Sequence, residues 1–367
     1  MTNKEREILE IIKENPTIEQ SEIARLLDIS RSTVAVHISS LQRQGYLLGK
    51  GYIVNDEKYI VGIGACNVDI YGTSNIKIKT HFDHPASIHS GIGGVMYNLI
   101  CNYSKLGGKA KLITAYSDDS FGRNIIDKLN EMNIDYSDAL FVKGKSSSIF
   151  MQVQDENNDM YLALCDMSII QDITPEFIIS KQNIITNATA IILDPSLNIE
   201  TIETIIGICK DKVDIYVDPI SDNYALKIKP YLKDFCFIKP NLSELEMLTD
   251  QKIRSDEQLV NTCRRLLDTG LKKIMVSRGK DGILYMDNDL SMFRKLKVDR
   301  NPVNMSGAGD ALMAAYIYGV MNELSIEDAL DYALAAGIAA IRSENTINEN
   351  MSVDLLENIL KEKRNVR

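Results

Sequence analysis

From residue 59 onward, short apolar runs alternate with stretches of helical periodicity. Most of the runs end in Asp, Asn, Pro, Ser or Gly, and most are followed by apolar residues at helical spacing. Parallel strands need a crossover connection, usually a helix, so the alternation predicts a parallel sheet with helices on both faces. Ligands of such sheets bind at the carboxyl ends of the strands. The runs are YIVGIGA, KLITAYS, AIILDPS, DIYVDPI, CFIKPN and KIMVSRG.

Two segments, residues 70–92 and 146–165, interrupt this alternation. The second, SSSIFMQVQDENNDMYLALC, has a polar DENND turn between two β-rich halves. That pattern is typical of antiparallel strands joined by a turn. We therefore predict a small antiparallel sheet, separate from the main one.

The first 57 residues follow a different order of elements. Apolar stripes predict a first helix that ends near Asn15, a second helix capped by Thr17 and a third capped by Ser30. A Gly-Lys-Gly turn at 49–51 lies between two short β-rich runs and predicts a hairpin. A helix, a helix-turn-helix and a hairpin in this order form a winged helix. We expect two domains, a winged helix-turn-helix domain at 1–57 and an α/β domain at 58–367.

The formal net charge of −10 opposes broad electrostatic attraction to nucleic acid or to an anionic membrane. Residues 29–55 nevertheless contain basic side chains and no acid, so the third helix and the wing can present a positive face. Four side chains at the exposed start of that helix can reach base edges or phosphates. These candidate DNA-binding residues are Arg31, Ser32, Thr33 and His37. The alternative is a structural or dimerising winged helix that never contacts DNA.

Cysteine usage and hydropathy indicate the compartment. Six cysteines are scattered without a CxxC pair, which is typical of reduced thiols rather than of a disulfide framework or a zinc site. No apolar run approaches the roughly 18 residues of a membrane span, and the N-terminus is charged from Lys4 onward. We expect a cytoplasmic protein without membrane contact.

The sequence SGAGD, residues 306–310, predicts a site for a phosphoryl group. A glycine-rich turn at the start of a helix directs several backbone N–H groups to one point, where the helix dipole also favours negative charge. An acid at that point is useful if it accepts the proton of an attacking hydroxyl. Gly307, Ala308 and Gly309 are therefore candidates for an anion hole and Asp310 for a catalytic base. The alternative is an ordinary glycine-rich helix start. Walker A and protein-kinase HRD and DFG motifs are absent from the sequence.

Two motifs resemble the paired signatures of the PfkB, or ribokinase-like, family of sugar and nucleoside kinases. They are GIGGVMYNLICNYSKLGG, residues 91–108, and NMSGAGDALMAAYIYG, residues 304–319. The resemblance covers about residues 59–367. It implies a three-layer α/β/α domain with a small β-sheet lid, formed by 70–92 and 146–165. It also implies dependence on ATP and Mg²⁺, a monovalent cation near the anion hole, and a homodimer.

The resemblance carries the family's roles onto matching positions of this chain. It implies that the hydroxyl groups of the substrate are bound by Asn67, Asp69, Gly93, Gly94 and Asn98. It implies that ATP is bound by Asn241, Ser277, Gly279, Gly282 and Asn348, and that Glu244 organises the metal ion.

Departures from the usual signatures indicate a branch of the family. The second signature usually begins with Asp, and here it begins with Asn304. This Asn, the LALCDM run that contains Asp166 and the DPIS run at 218–221 resemble bacterial pseudouridine kinases, although Tyr224 stands where that group has Lys. Asp166 either hydrogen-bonds a uracil ring or simply ends a lid strand.

The leading expectation is a kinase that phosphorylates the 5'-hydroxyl of a ribonucleoside, most specifically pseudouridine. The alternatives within the enzyme class are a ribokinase and an adenosine- or inosine-type kinase. The alternative from another class is a transcriptional regulator that senses a nucleoside through a kinase-like domain.

Overall fold

The computed structural model describes residues 1–47, 58–157, 159–298 and 302–364. Fourteen strands and fourteen α-helices lie within these ranges. The strands are β1 Ile60–Ile63, β2 Asn67–Ser74, β3 Ala86–Gly93, β4 Ala110–Ile113, β5 Ala115–Tyr116, β6 Leu140–Phe141, β7 Ile149–Gln154, β8 Met160–Asp166, β9 Ala190–Leu193, β10 Asp214–Val217, β11 Phe237–Ile238, β12 Lys273–Ser277, β13 Ile283–Asp287 and β14 Ser291–Arg294. The helices are α1 Asn3–Glu14, α2 Gln20–Leu26, α3 Arg31–Arg43, α4 Val95–Lys105, α5 Ser120–Glu131, α6 Pro175–Ser180, α7 Gln182–Thr186, α8 Ile199–Cys209, α9 Asp222–Ile228, α10 Leu242–Thr249, α11 Asp256–Asp268, α12 Ala308–Met321, α13 Ile326–Ile341 and α14 Val353–Arg364.

Helices α1, α2 and α3 pack around a small apolar core of their own. The side chains buried in it come from all three helices and include Ile12, Ile23 and Val34. Ser30 caps α3 as predicted, accepting a hydrogen bond from the backbone N–H of Thr33 at 3.0 Å. The prediction for α2 is wrong at its start. Helix α2 begins at Gln20, and Thr17 instead bonds the side chain of Asn15, since an Asx turn satisfies it locally. The predicted wing, residues 46–54, lies outside the described residues from 48 onward.

The main sheet has eight strands in the order β14-β13-β12-β11-β10-β9-β1-β4. The six strands from β12 to β4 pair in parallel, which confirms the predicted parallel sheet. Strands β13 and β14 extend it antiparallel at one edge and were not predicted. They need no crossover helix, because β13 follows β12 through a short turn.

Helices cover both faces of this sheet, and each face has its own apolar core. Helices α8 and α11 pack on one face with side chains such as Ile205 and Leu267. Helices α4, α12 and α13 pack on the other with Tyr97, Tyr316 and Leu330. The strands are buried on both sides and read as continuous apolar runs, as parallel strands do. The predicted three-layer α/β/α architecture is confirmed.

A second sheet of four strands, in the order β3-β2-β7-β8, forms the lid. The predicted segments 70–92 and 146–165 overlap these four strands. The prediction that they pair antiparallel holds for β2 with β3 and for β7 with β8. It is wrong for the central pair, because β2 and β7 run parallel. They come from distant parts of the chain, with α4 and α5 between them, so no hairpin constrains their direction.

All six cysteines carry free thiols, and five of them are buried. This agrees with the scattered spacing of the cysteines in the sequence. Among the described helices, none combines the length and the apolar character that crossing a membrane requires.

Candidate active site

Charged side chains follow three neighbouring strands of the main sheet at their carboxyl ends. Asp194 comes directly after β9, Asp218 after β10 and Lys239 after β11. All three are at most 7% exposed. Asp310 reaches the same edge from the first turn of α12. The carboxyl edge of the parallel sheet is therefore where the charges of this domain converge, as expected for a doubly wound fold.

Helix α12 begins with a turn that only glycine fits. Gly307 is its N-cap residue and has a φ of 77°, in the left-handed region. A Cβ added to Gly307 would lie 2.3 Å from the backbone oxygen of Thr346, so a larger residue cannot approach this closely. The N–H groups of 308–310 lie in the first turn, where a helix provides no acceptor of its own. Residues 307–310, called the anion hole below, thus present donors at the positive end of the helix dipole.

Asp310 is a buried carboxyl, 8% exposed, next to Asn98 of α4. The Asn98 amide donates a hydrogen bond of 2.8 Å to Asp310 Oδ2. Burial and then the charge of Asp218 raise the pKa of Asp310 to about 7, against the opposing effects of Asn98 and Lys239. A carboxyl with a pKa near neutrality is well suited to take and return a proton.

Asn98 has one more feature that points to a ligand. Its Oδ1 atom is buried and has no hydrogen-bond partner within the described residues. Buried polar atoms are nearly always paired. This oxygen, beside the Asp310 carboxyl, is placed to accept a hydrogen bond from a substrate hydroxyl.

Asp69 lies on lid strand β2 and is held by its neighbours. Its Oδ1 accepts a hydrogen bond from the Asn67 amide, and its Oδ2 accepts one of 3.0 Å from the Tyr71 hydroxyl. Burial raises the pKa of Asp69 despite these bonds. Its charge in turn contributes to the raised pKa of Asp310, which places the two carboxyls in one site.

The paired glycines of the first signature make room for these two side chains. A Cβ on Gly93 would lie 2.0 Å from Asp69 Oδ2, and a Cβ on Gly94 would lie 2.5 Å from Asn67 Oδ1. Gly94 also has a φ of 98°. The glycines thus serve the close approach of the β3 backbone to Asp69 and Asn67.

Asn241 and Glu244 form a capping box at the start of α10. Asn241 Oδ1 accepts from the Glu244 N–H at 2.9 Å, and Glu244 Oε2 accepts from the Asn241 N–H at 2.9 Å. Glu244 is nevertheless 5% exposed and close to Asp218. Burial and then the charge of Asp218 raise the pKa of Glu244 to about 7. This carboxyl is therefore more than a cap, because it lies near Asp218 at the carboxyl edge of the sheet.

The remaining residues proposed for ATP occupy two places. Ser277 ends β12, and its N–H donates to Pro240 O at 3.0 Å, which puts Ser277 beside Asn241. Gly279 and Gly282 follow it in a tight turn with φ values of 56° and 83°. Asn348 lies in the loop after α13 and is engaged at both ends. Its amide donates to Ala339 O at 2.7 Å, and its Oδ1 accepts from Asn350 N at 2.9 Å. The Asn348 side chain thus holds the loop in shape.

Asp166 lies apart from the other residues predicted to bind substrate. Across the lid, Asp166 pairs with Ile149, which pairs with Val68, whereas Cys165 pairs with Phe150 and so shares the register of Asp69. Because paired residues in a sheet project to the same face, Asp166 lies on the face opposite to Asp69. Its Oδ1 accepts a hydrogen bond from the Ser168 N–H at 3.1 Å. This geometry agrees with the alternative that Asp166 ends a lid strand.

Three charged residues of this edge had no predicted role: Asp194, Asp218 and Lys239. Lys239 Nζ forms a buried ion pair with Asp218 Oδ2 at 2.8 Å. Asp194 accepts hydrogen bonds from Ala65 N at 2.8 Å and from Ser196 N at 2.7 Å, bracing the connection from β1 to the lid. A usable signal was present in the sequence, since each residue directly follows a buried apolar run.

The candidate DNA-binding residues lie together at the start of α3. Arg31, Ser32 and Thr33 are exposed, and His37 is half-buried. The hydroxyls of Ser32 and Thr33 lie 2.7 Å and 2.8 Å from the Ser30 hydroxyl, within the cap of the helix. Arg31 and His37 are the side chains of this group that can contribute charge to a contact.

A fold with a glycine-rich helix start, a buried carboxyl and a lid carboxylate beside it defines a phosphotransferase acting on a hydroxyl group. Residues 57–352 match the sequence profile of the pfkB family carbohydrate kinases. Residues 1–47 match that of winged helix-turn-helix DNA-binding domains. The first match covers most of the chain, so the protein belongs to the PfkB family of carbohydrate kinases. The predicted family and the N-terminal winged helix-turn-helix domain are confirmed.

Individual relatives extend this result. The uncharacterized sugar kinase YeiI of Escherichia coli is 30% identical over 354 residues, covering 96% of this chain and 98% of that protein. The pseudouridine kinase of Escherichia coli is 27% identical over 300 residues, covering 82% of this chain and 96% of that protein. A candidate ribokinase II of Escherichia coli, solved with ATP and Mg²⁺, has a TM-score of 0.71 at 19% identity, covering 83% of this chain and 99% of that one. The last comparison shows a shared fold.

Proposed function

We propose that this kinase uses ATP to phosphorylate the 5'-hydroxyl of a ribonucleoside, with pseudouridine as the leading substrate. The observation that carries the reaction is the buried Asp310 carboxyl, bonded to Asn98 at the mouth of the anion hole and electrostatically coupled to Asp69. A base, a group with a free acceptor oxygen and a second carboxylate suit a sugar that presents several hydroxyls. The pseudouridine kinase among the relatives supports the choice of nucleoside.

In this mechanism Asp69 and Asn98 orient the acceptor. Asp310 removes the proton of the reacting hydroxyl, whose oxygen then bonds to the γ-phosphorus of ATP. The bond between that phosphorus and the bridging oxygen of ADP breaks, and ADP leaves. The N–H groups of the anion hole stabilise the charge on the transferring oxygens. Closure of the lid excludes water, which would otherwise compete as acceptor.

The residues at the carboxyl edge fit a magnesium ion that arrives with the nucleotide. Within the described residues, no group of three or more His, Cys, Asp or Glu side chains is arranged to hold a metal ion. Mg²⁺ commonly binds through one or two carboxylates, several waters and the substrate phosphates. Glu244, with Asn241 beside it, would hold the ion through its water shell. The ion would supply charge neutralisation of the phosphates.

A monovalent cation fits the residues near the anion hole poorly. Asn304 Oδ1 accepts a hydrogen bond from Ser306 N at 2.9 Å, which turns its amide N–H toward Glu344 O at 3.1 Å. An aspartate here would face that carbonyl with a second acceptor, a pair that a cation can bridge. The amide of Asn304 makes this link directly, so we propose a kinase that needs no such cation.

The test of the reaction is Asp310→Asn, which keeps the shape of the side chain and removes its basicity. We expect kcat to fall by about 10²–10⁴ while the affinity for the nucleoside stays within about threefold. Turnover would be followed as ADP release, and affinity by calorimetry. Near-normal turnover of this variant would refute the role of Asp310.

The test of the substrate compares pseudouridine, uridine, adenosine, inosine and ribose by kcat/KM. We expect pseudouridine to exceed uridine, which differs only at the glycosidic bond, and ribose to be the poorest of the set. A preference for ribose would instead establish a ribokinase. A preference for adenosine or inosine would establish a purine nucleoside kinase.

A second activity is supported by the N-terminal domain, and we propose that it binds DNA through α3. The match to winged helix-turn-helix DNA-binding domains and the exposed Arg31 at the start of α3 support this. The test is binding to the DNA upstream of its own gene, against a scrambled duplex of equal length, over a range of salt concentrations. Sequence-specific binding supports a regulator, whereas binding that is equal for both duplexes contradicts it.

We also propose a homodimer that forms through the lid. Large apolar side chains are exposed on its edge strands, among them Ile88 at 71%, Met160 at 65% and Leu164 at 58%. Exposed apolar clusters of this kind commonly mark interfaces. Light scattering should give a dimer mass that Leu164→Asp reduces to that of a monomer. A monomeric wild type would contradict the proposal.

A further inference from the structure

We propose that Lys239 supplies the positive charge that binds the transferring phosphoryl group, and that Asp218 holds its ammonium in place until the nucleotide arrives. The inference rests on the proposed function, because it concerns the same anion hole. It adds a catalytic residue, Lys239, and a positioning residue, Asp218.

The position of Lys239 is the first step. A Cβ on Gly309 would lie 3.3 Å from Lys239 Nζ, which is closer than about nine in ten Cβ contacts in proteins. The ammonium therefore lies against the first turn of α12, where the N–H donors of the anion hole begin. A group bound by those N–H donors would be within reach of the ammonium.

The burial of Lys239 is the second step. The residue is 4% exposed, and its only hydrogen-bonding partner within the described residues is Asp218, at 2.8 Å. An ammonium has three N–H donors, so two remain for a ligand. Burying a charge with one partner is costly, and buried ion pairs are weak evidence for stability. The arrangement makes sense if a second anion completes the coordination.

The charge balance is the third step. The acidic edge comprises Asp69, Asp218, Glu244 and Asp310. The charge of Asp218 raises the pKa of both Glu244 and Asp310, and the charge of Asp69 adds to the rise at Asp310. Lys239 carries a positive charge that opposes the rise in the pKa of Asp310. A phosphoryl group in flight brings further negative charge to this edge. Lys239 is the side chain that can offset it without competing for the proton.

A purely structural ion pair is the alternative, and a double variant separates the two explanations. Lys239→Met leaves Asp218 buried without its partner and should lower both kcat and Tm. Adding Asp218→Asn removes the unpaired charge, so Lys239→Met/Asp218→Asn should regain most of the lost Tm. We expect its kcat to stay about 100-fold or more below wild type, while the nucleoside KM changes less than about threefold. Recovery of kcat together with Tm would overturn the inference.

A matched control is the ion pair of Lys272 with Asp214 at 2.9 Å, which lies outside the acidic edge. Lys272→Met should leave kcat within about twofold, since exposed pairs contribute little. If kcat falls as far in Lys272→Met as in Lys239→Met, the effect is not specific to the site and the inference fails.

A binding measurement tests Lys239 without any acceptor, so it stays valid if pseudouridine is not the substrate. ADP with Mg²⁺ and aluminium fluoride mimics a phosphoryl group in flight. This mixture should raise the Tm of the wild type above the value reached with ADP and Mg²⁺ alone. In the double variant we expect that additional rise to be lost while the rise with ADP is kept. An equal additional rise in both proteins would refute the role of Lys239.

Discussion

The raised pKa of Asp310 predicts how activity depends on pH. An ordinary aspartate, whose pKa is 3.8, is a carboxylate throughout the neutral range, whereas burial and the charge of Asp218 raise the pKa of Asp310 to about 7. The carboxylate fraction then rises from about one tenth at pH 6 to about nine tenths at pH 8. Because the base must be deprotonated, kcat/KM at low MgATP should rise about tenfold over that interval.

Two variants identify the group that titrates. Asp218→Asn removes a charge that raises the pKa of Asp310, so the rise of kcat/KM with pH should move to lower pH. The pKa of Glu244 is also raised to about 7, so this carboxyl is the other group that could titrate here. Glu244→Gln should lower kcat/KM but leave its rise with pH in place. The assay is ADP release in buffers of constant ionic strength. The reasoning would be refuted by a pH-independent kcat/KM, or by a rise of kcat/KM that occurs at the same pH in Asp218→Asn as in the wild type.

Three further predictions follow from particular contacts. Gly93→Ala places a Cβ 2.0 Å from Asp69 Oδ2 and should raise the acceptor KM about tenfold, which corresponds to about 1.4 kcal/mol. The control Gly72→Ala lies on the same lid with nothing within 4 Å of the added Cβ, and it should leave KM unchanged. An unchanged KM in Gly93→Ala would contradict the proposed role of Asp69 in binding the acceptor. The wild type should have equal kcat and Tm in potassium and in choline salts, whereas Asn304→Asp should lose activity and stability in choline and regain both in potassium. A cation-dependent wild type contradicts the role of the Asn304 amide. Arg31→Ala should weaken DNA binding and reduce the salt slope by about one, which a filter-binding titration over salt concentration would measure.

The sequence was most informative where one element alone determines the chemistry. The SGAGD turn needs a left-handed residue, and Gly307 provides it at a φ of 77°. The parallel strands were recognisable because strands buried on both faces are continuously apolar. The two glycines of the first signature likewise lie against Asn67 and Asp69, which the resemblance to the family also assigns to substrate binding.

Features that depend on distant pairing were harder to predict. The lid strand that contains Asp166 is exposed along most of its length, so alternation of apolar and polar residues could not indicate which face each side chain takes. The ion pair of Lys239 with Asp218 joins the ends of two adjacent strands, and strand order is not visible in local sequence. For the same reason, local sequence does not reveal that Asp194 accepts a hydrogen bond from the backbone N–H of Ala65.

The connection between β1 and β2 has a consequence for affinity. Asp69 belongs to a lid strand, Asp310 belongs to the main domain, and only residues 64–66 join β1 to β2. If the lid closes over the acceptor as proposed, the measured dissociation constant is the intrinsic one divided by the fraction of molecules already closed. A lid closed in roughly one molecule in ten would weaken acceptor binding about tenfold with every contact intact. Any restraint on the lid sheet would then change the apparent affinity for the acceptor, even if the restraining group does not contact the substrate.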